Sequence, residues 1–116
     1  MKQMDALQKL EQYVNMPSGS ADLGGLAAFV SVVEKVMQAL GFTVTRHPMA
    51  GRGDALECVY GDGEDTLLLI GHMDTVFARE ENQPFAVDGD RLTGSGVMDM
   101  KGGVLIMQAA LAEVLP

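Results

Sequence analysis

The sequence is short of several things that would otherwise narrow its chemistry. Its 116 residues include one cysteine, no tryptophan, four phenylalanines, two tyrosines and four prolines. A lone Cys58 excludes an internal disulfide, so the fold must be held by packing. With so few aromatics, packing is expected to rest on aliphatic side chains and nine methionines, which fill irregular gaps but specify shape weakly. Positive charge is scarce as well. Eight Lys and Arg against sixteen Asp and Glu leave a net charge of -8, which repels phosphate backbones and anionic lipid, so neither nucleic acid nor a membrane is an expected partner. Long apolar runs are missing too: the longest largely apolar stretch, residues 23–33, falls well short of the about 20 residues that span a bilayer. Residues 1–15 are charged throughout and carry no signal-like apolar segment, and the expected location is cytoplasmic.

What is present fits one globular domain. Apolar residues make up 47% of the chain, enough to exclude a disordered tail. Met4, Leu7, Leu10 and Val14 share one face at helical spacing, and that pattern stops at Pro17, Ser18 and Gly19. A second helix is expected to start at an Asp22 cap and to run through Leu26, Val30, Val33 and Met37 to a stop at Gly41. The period then changes to two, giving strands at 42–47 and 55–60, a hairpin connection at 61–65, and a third strand at 66–70. Four successive aliphatic residues, Leu67 to Ile70, predict that this third strand is central and covered on both faces. A short hairpin around Asp88, Gly89 and Asp90 follows, then a Gly-rich loop and a last helix from Lys101. The class is α/β: a partial three-layer sandwich with a mixed sheet flanked by helices.

Two segments could carry chemistry. His72 and Asp74 follow the third strand, at the strand end where open α/β sheets place ligands, and alternation puts both on one side. A neutral imidazole ligates metal well, and a carboxylate accepting its second N–H fixes the ring; the alternative is a His and an Asp that merely pair to finish a strand. Asp99 lies in GSGVMDMKGG, residues 94–103. It can cap the following helix, or its two oxygens can bridge two cations. A phosphate-binding loop is disfavoured, because the spacing matches neither GxGxxG nor the P-loop and Asp99 would repel the anion.

Read jointly, GHMDTVF at 71–77 and GVMDMKGG at 96–103, with Asp99 falling 27 residues after His72, are more specific than either segment. Together with VNMPSGS at 14–20 and PFAVDGDRLTG at 84–94, they resemble the zinc exopeptidase superfamily of glutamate carboxypeptidase, acetylornithine deacetylase, succinyl-diaminopimelate desuccinylase and aminoacylase, the glutamate carboxypeptidase branch most of all. The resemblance implies a hydrolase that cleaves an amide bond beside a free carboxylate, with a metal-bound water as nucleophile and small peptides or N-acyl amino acids as substrates. It implies a cofactor of two zinc ions, with His72 and Asp99 as metal ligands and Asp74 as the catalytic residue that orients His72. It also implies a cis Asp99–Met100 peptide bond, and a homodimer for the full-length protein.

The same resemblance covers nearly all of this chain but only the first third of a family member. Residues 1–116 are therefore expected to form the N-terminal part of a metallopeptidase catalytic domain, lacking the family's Glu–Glu pair, its further acidic ligand and its second His, and inactive by themselves. Glu80 and Glu81 precede Asp99 rather than follow it and read as a solvated loop. His47 reads as an edge residue, Cys58 as a small core residue, and Lys101 as a packing residue of the loop with no catalytic role. The site is expected on one rim of the sheet, with His72 and Asp99 converging between acidic walls free of hydroxyls. Solvent-exposed apolar surface is expected near 66–70 and on the last helix. Two rival readings remain at this level: a non-catalytic α/β binding module that keeps the metal-site motifs, and a small nucleotide-binding domain.

Overall fold

A computed structural model describes residues 3–116, with side chains from Asp5 onward, so Met4 lies outside the described side chains. The first helix, α1 (Gln3–Asn15), and the second, α2 (Leu23–Ala39), fall where the apolar periodicity places them. Asp22 caps α2 by accepting the Gly25 N–H at 3.0 Å, which satisfies one of the donors left free at a helix start. Strands β1 (Thr43–His47) and β2 (Ala55–Val59) form an antiparallel pair with Val44 opposite Cys58 and Arg46 opposite Leu56 on the face turned toward α2. Arg46 is not a stray charge there. Its guanidinium takes Glu34 at 2.8 Å, Ser31 at 3.0 Å and Asp54 at 3.2 Å, so α2, β1 and the turn before β2 share one cation. On the opposite face His47 pairs with Glu57 at 3.1 Å, as an edge residue would, and Cys58 is half-buried.

A second hairpin, β3 (Ala86–Asp88) and β4 (Arg91–Thr93), closes over Gly89. The last helix, α3 (Gly102–Val114), turns Val104, Leu105 and Gln108 inward and leaves Ile106 and Val114 exposed. The α/β make-up is thus as expected, while one element is corrected. Residues 66–70 are not a strand and are not covered: Leu67 is 84% exposed and Ile70 79%. A run apolar on both faces is stable as a strand only between two neighbours and two layers. Among the described residues nothing pairs with it, and the 61–65 turn closes no hairpin. The molecule is correspondingly flat, 44 × 39 × 19 Å, with a radius of gyration of 14.5 Å against about 13 Å for a compact chain of this length.

The core departs from the aliphatic and methionine packing that composition suggests. Its centre is aromatic: Tyr13 of α1 and Phe29 of α2 are fully buried and meet edge to face at 5.2 Å, with Leu10, Val14, Val33, Val104 and Leu105 around them and Met37, Met73, Met100 and Met107 at the margin. Few aromatics suffice when two of them meet edge to face at the centre of the core. The Tyr13 hydroxyl, dragged inside with its ring, donates to Gln108 Oε1 at 2.6 Å, and that bond ties α1 to α3. Tyr13→Phe should lower stability by about 1–3 kcal/mol, because it strands a buried amide oxygen, whereas adding Gln108→Leu should recover most of the loss; urea unfolding of both variants checks the pair.

Candidate metal centre

Residues 71–75 run along the surface of the core, where the segment 18–20 fastens them. Ser20 N donates to Thr75 O and Thr75 N donates to Ser18 O, both at 2.9 Å, forming a parallel bridge between Gly19 and Thr75. Ser18 Oγ, fully buried, adds a bond to Met73 O at 2.9 Å. The approach is so close that a Cβ on Gly19 would stand 2.2 Å from Phe77 O, so only glycine fits between the two serines.

Asp99 arrives from the other side. The Gly-rich loop enters a kinked turn, Val97–Lys101, through Gly96 in the left-handed region, and inside that turn Asp99 and Met100 leave helical geometry and are joined by a cis peptide bond. Asp99 therefore does not cap α3. Its side chain is 81% exposed and aims at His72, whose Nε2 lies 2.8 Å from Asp99 Oδ1. On the far side of the ring, His72 Nδ1 is 3.0 Å from Asp74 O and 3.3 Å from Asp74 Oδ1. His72, Asp74, Thr75, Val76 and Asp99 line a cleft of about 220 Å³. A larger, shallow groove of about 470 Å³ between Phe77, Pro84 and Thr93 contains no ionisable side chain, so the chemistry belongs to the smaller one.

The walls of that cleft are acidic but not hydroxyl-free, which corrects the sequence reading. Ser20 Oγ donates to Asp74 Oδ2 at 2.5 Å, and Thr75 lines the cleft. The PSGS segment was legible as part of a family pattern, yet nothing in local spacing reveals that position 20 faces position 74.

The contact between His72 and Asp99 has a simple electrostatic meaning. With Nδ1–H turned toward Asp74, a neutral ring would set the Nε2 lone pair against a carboxylate oxygen, and two acceptors 2.8 Å apart require a proton or a cation between them. The proton is stabilised here. Desolvation is the largest single influence on His72 and opposes the charged ring, but the bonds to Asp99 and Asp74 and their two negative charges together outweigh it, and its pKa is raised. The same lone pair and carboxylate suit a borderline-soft divalent ion, so the donor chemistry fits zinc. Their number does not complete a site: among the described residues no cluster of three or more His, Cys, Asp or Glu could hold a metal. Glu80 and Glu81 lie on a short 3-10 turn, Arg79–Glu81, outside the cleft, and Glu81 is engaged with the Ala78 N–H. Burial, with Glu34 and Glu57 nearby, pushes the Cys58 thiol up and away from the thiolate that zinc needs.

Beneath Asp99, Lys101 is 1% exposed. Its ammonium donates to Tyr13 O at 2.7 Å and to Met16 O, and lies 4.7 Å from the centre of the Phe29 ring. Tyr13 O also accepts the Met16 N–H at 3.3 Å, while Met16 O lies just past the last residue of α1, so Lys101 closes the end of that helix while anchoring the Asp99 turn. Sequence reasoning took Lys101 for a packing residue of the loop. It is that, though through a buried charge rather than its methylene stem.

Residues 68–116 match the peptidase family M20/M25/M40. The chain is 40% identical over 107 residues to carboxypeptidase G2 of Pseudomonas sp. (strain RS-16), covering 88% of this chain and 26% of that protein. It is 39% identical over 103 residues to the succinyl-diaminopimelate desuccinylase of Gluconobacter oxydans (strain 621H), covering 82% and 26%, and 35% identical over 121 residues to that of Rhodopseudomonas palustris (strain HaA2), covering 95% and 30%. The chain thus spans roughly a quarter of the length of the curated relatives it matches.

Burial lowers the Lys101 pKa from 10.5 to about 8, so between those values the unfolded chain binds the proton more tightly than the folded one and stability rises with pH. Wild-type protein should therefore gain on Lys101→Met as the pH climbs from about 8 to 10, by urea unfolding at each pH, while near neutrality the variant loses about 1–3 kcal/mol through the abandoned Met16 carbonyl. By its matched segment, its relatives and the motifs that converge on this cleft, the chain belongs to the peptidase family M20/M25/M40.

Proposed function

We propose that residues 1–116 are the N-terminal part of the catalytic domain of a zinc-dependent amide hydrolase of the carboxypeptidase and desuccinylase kind, acting on small peptides or N-acyl amino acids beside a free carboxylate. The observation that carries this reading is the convergence of His72 Nε2 and Asp99 Oδ1 at 2.8 Å with Asp74 behind the ring. Supporting it are relatives whose names denote a carboxypeptidase and desuccinylases.

In this reading His72 and Asp99 are the residues that would hold zinc. Bound zinc would supply Lewis acidity toward the scissile carbonyl. Asp74 keeps the His72 ring in the tautomer whose Nε2 is free to ligate, and accepts the Nδ1–H. Asp99, exposed at the mouth of the cleft, meets ion and substrate from the solvent side. The cleft lining supplies no further carboxylate to act as general base, so this chain binds and orients without moving the substrate's proton. A catalytic zinc takes about three protein ligands, more than His72 and Asp99 would supply.

The 116-residue chain, titrated with zinc by calorimetry, should therefore bind more weakly than complete structural sites, whose apparent binding free energies are about 10–16 kcal/mol. His72→Ala and Asp99→Ala should each abolish the heat, and N-acyl glutamates should not be hydrolysed. Zinc binding indifferent to both substitutions would overturn the ligand assignment. Tight uptake of two equivalents with turnover would overturn the count of missing groups.

A further inference from the structure

We propose that Ser20 is a positioning residue for this centre: its hydroxyl holds Asp74 in the orientation that orients His72. The consequence for metal rests on the zinc reading above; the positioning itself rests on geometry alone.

A carboxylate turns about a broad, two-fold terminal torsion, so one hydrogen bond leaves its plane poorly defined. Asp74 is held at both oxygens. Oδ1 faces His72 Nδ1 at 3.3 Å, and Oδ2 accepts from Ser20 Oγ at 2.5 Å. The serine is itself immobilised from outside the site. Its N–H is bonded to Thr75 O, the preceding Gly19 is wedged against Phe77 O, and Ser18 is bonded on both its backbone and its hydroxyl to the 73–75 segment. Fastening thus runs from residues 18–20, by the Ser20 hydrogen bond, to the Asp74 carboxylate, and from there to the imidazole by an ion pair at 3.3 Å that stands beside the 3.0 Å contact of Nδ1 with Asp74 O.

Burial does not explain the Ser20 hydroxyl. The residue is exposed, so water could satisfy its hydroxyl and the Asp74 oxygen alike, and the fold does not need the bond to avoid a stranded polar group. Its other acceptor, Thr75 O, is at 3.2 Å and already receives the Ser20 N–H. What the hydroxyl adds, and water would not, is a fixed direction for the carboxylate. Partners of this sort behind a ligating histidine are commonly worth 10- to 100-fold in metal affinity.

The experiment compares wild-type chain with Ser20→Ala, Ser20→Thr and, as a control outside the cleft, Ser31→Ala, whose hydroxyl serves Arg46. Two readouts are taken beside the melting temperature: the ¹⁵N shifts of the His72 imidazole in metal-free protein, and the zinc dissociation constant by calorimetry. Ser20→Ala should move the His72 shifts and weaken zinc about 10-fold without a matching loss of thermal stability, Ser20→Thr should restore both, and Ser31→Ala should change neither. Wild-type shifts and affinity in Ser20→Ala, or a Ser20→Thr no better than the alanine, would overturn the proposal. If wild-type protein takes up no zinc, the ligand assignment of His72 and Asp99 fails, and the imidazole shifts by themselves decide whether Ser20 positions the ring.

Discussion

A single buried ammonium joins the parts of this structure that matter. Lys101 reaches under the Asp99 turn to two carbonyls at the end of α1 and lies over Phe29 of α2, so one cation touches the first helix, the second helix and the loop that leads into the third. Burying a charge is costly unless it is hydrogen-bonded. Here the cost is offset in part by two carbonyls at the end of α1 and by the face of an aromatic ring, and what is left of it shows in the lowered Lys101 pKa. The position of Asp99 follows, since its turn cannot shift without dislodging the ammonium from its acceptors.

On the opposite side of the cleft the constraint is made of backbone. The parallel bridge between residues 18–20 and 73–75 sets the direction in which His72 and Asp74 leave the core, and a glycine at position 19 is what permits the approach. The two halves of the centre are therefore held by unlike means, a bridge of backbone hydrogen bonds and a desolvated side chain. Both fasten to the neighbourhood of α1: Ser18 follows its C-terminus closely in sequence, and Lys101 caps it in space. This shared footing lets two segments 27 residues apart present an imidazole and a carboxylate at 2.8 Å.

Charge and apolar surface are distributed to match. Arg46 and Arg79 are spent on internal pairs with Glu34, Asp54 and Asp22, so the cleft faces solvent with its carboxylates unopposed by arginine. An acidic cleft attracts cations and disfavours anions, which is why the same glycine-rich loop that could cradle a phosphate in another setting does not suit one here.

The sequence by itself determined the helices, the two strand runs that become β1 and β2, and the hairpin over Gly89, and it singled out His72, Asp74 and Asp99, which the fold brings to one cleft. Period 3.6 and period 2 are local properties of the chain, and Asp22 and Gly41 mark α2 by their own conformational preferences. The paired motifs around His72 and Asp99 were readable because that spacing is rarely met by accident. Three things were decided only in three dimensions. Residues 66–70 have the composition of a covered strand, but a strand exists only through its neighbours, and a run of leucines does not state whether neighbours are there. Tyr13 and Phe29 became the centre of the core because the fold buries both rings against one another, whereas composition counts aromatics without locating them. Ser20 reaches Asp74, and Lys101 reaches the carbonyls at the end of α1, across separations of 54 and of 85 or more residues, through contacts that no local pattern encodes.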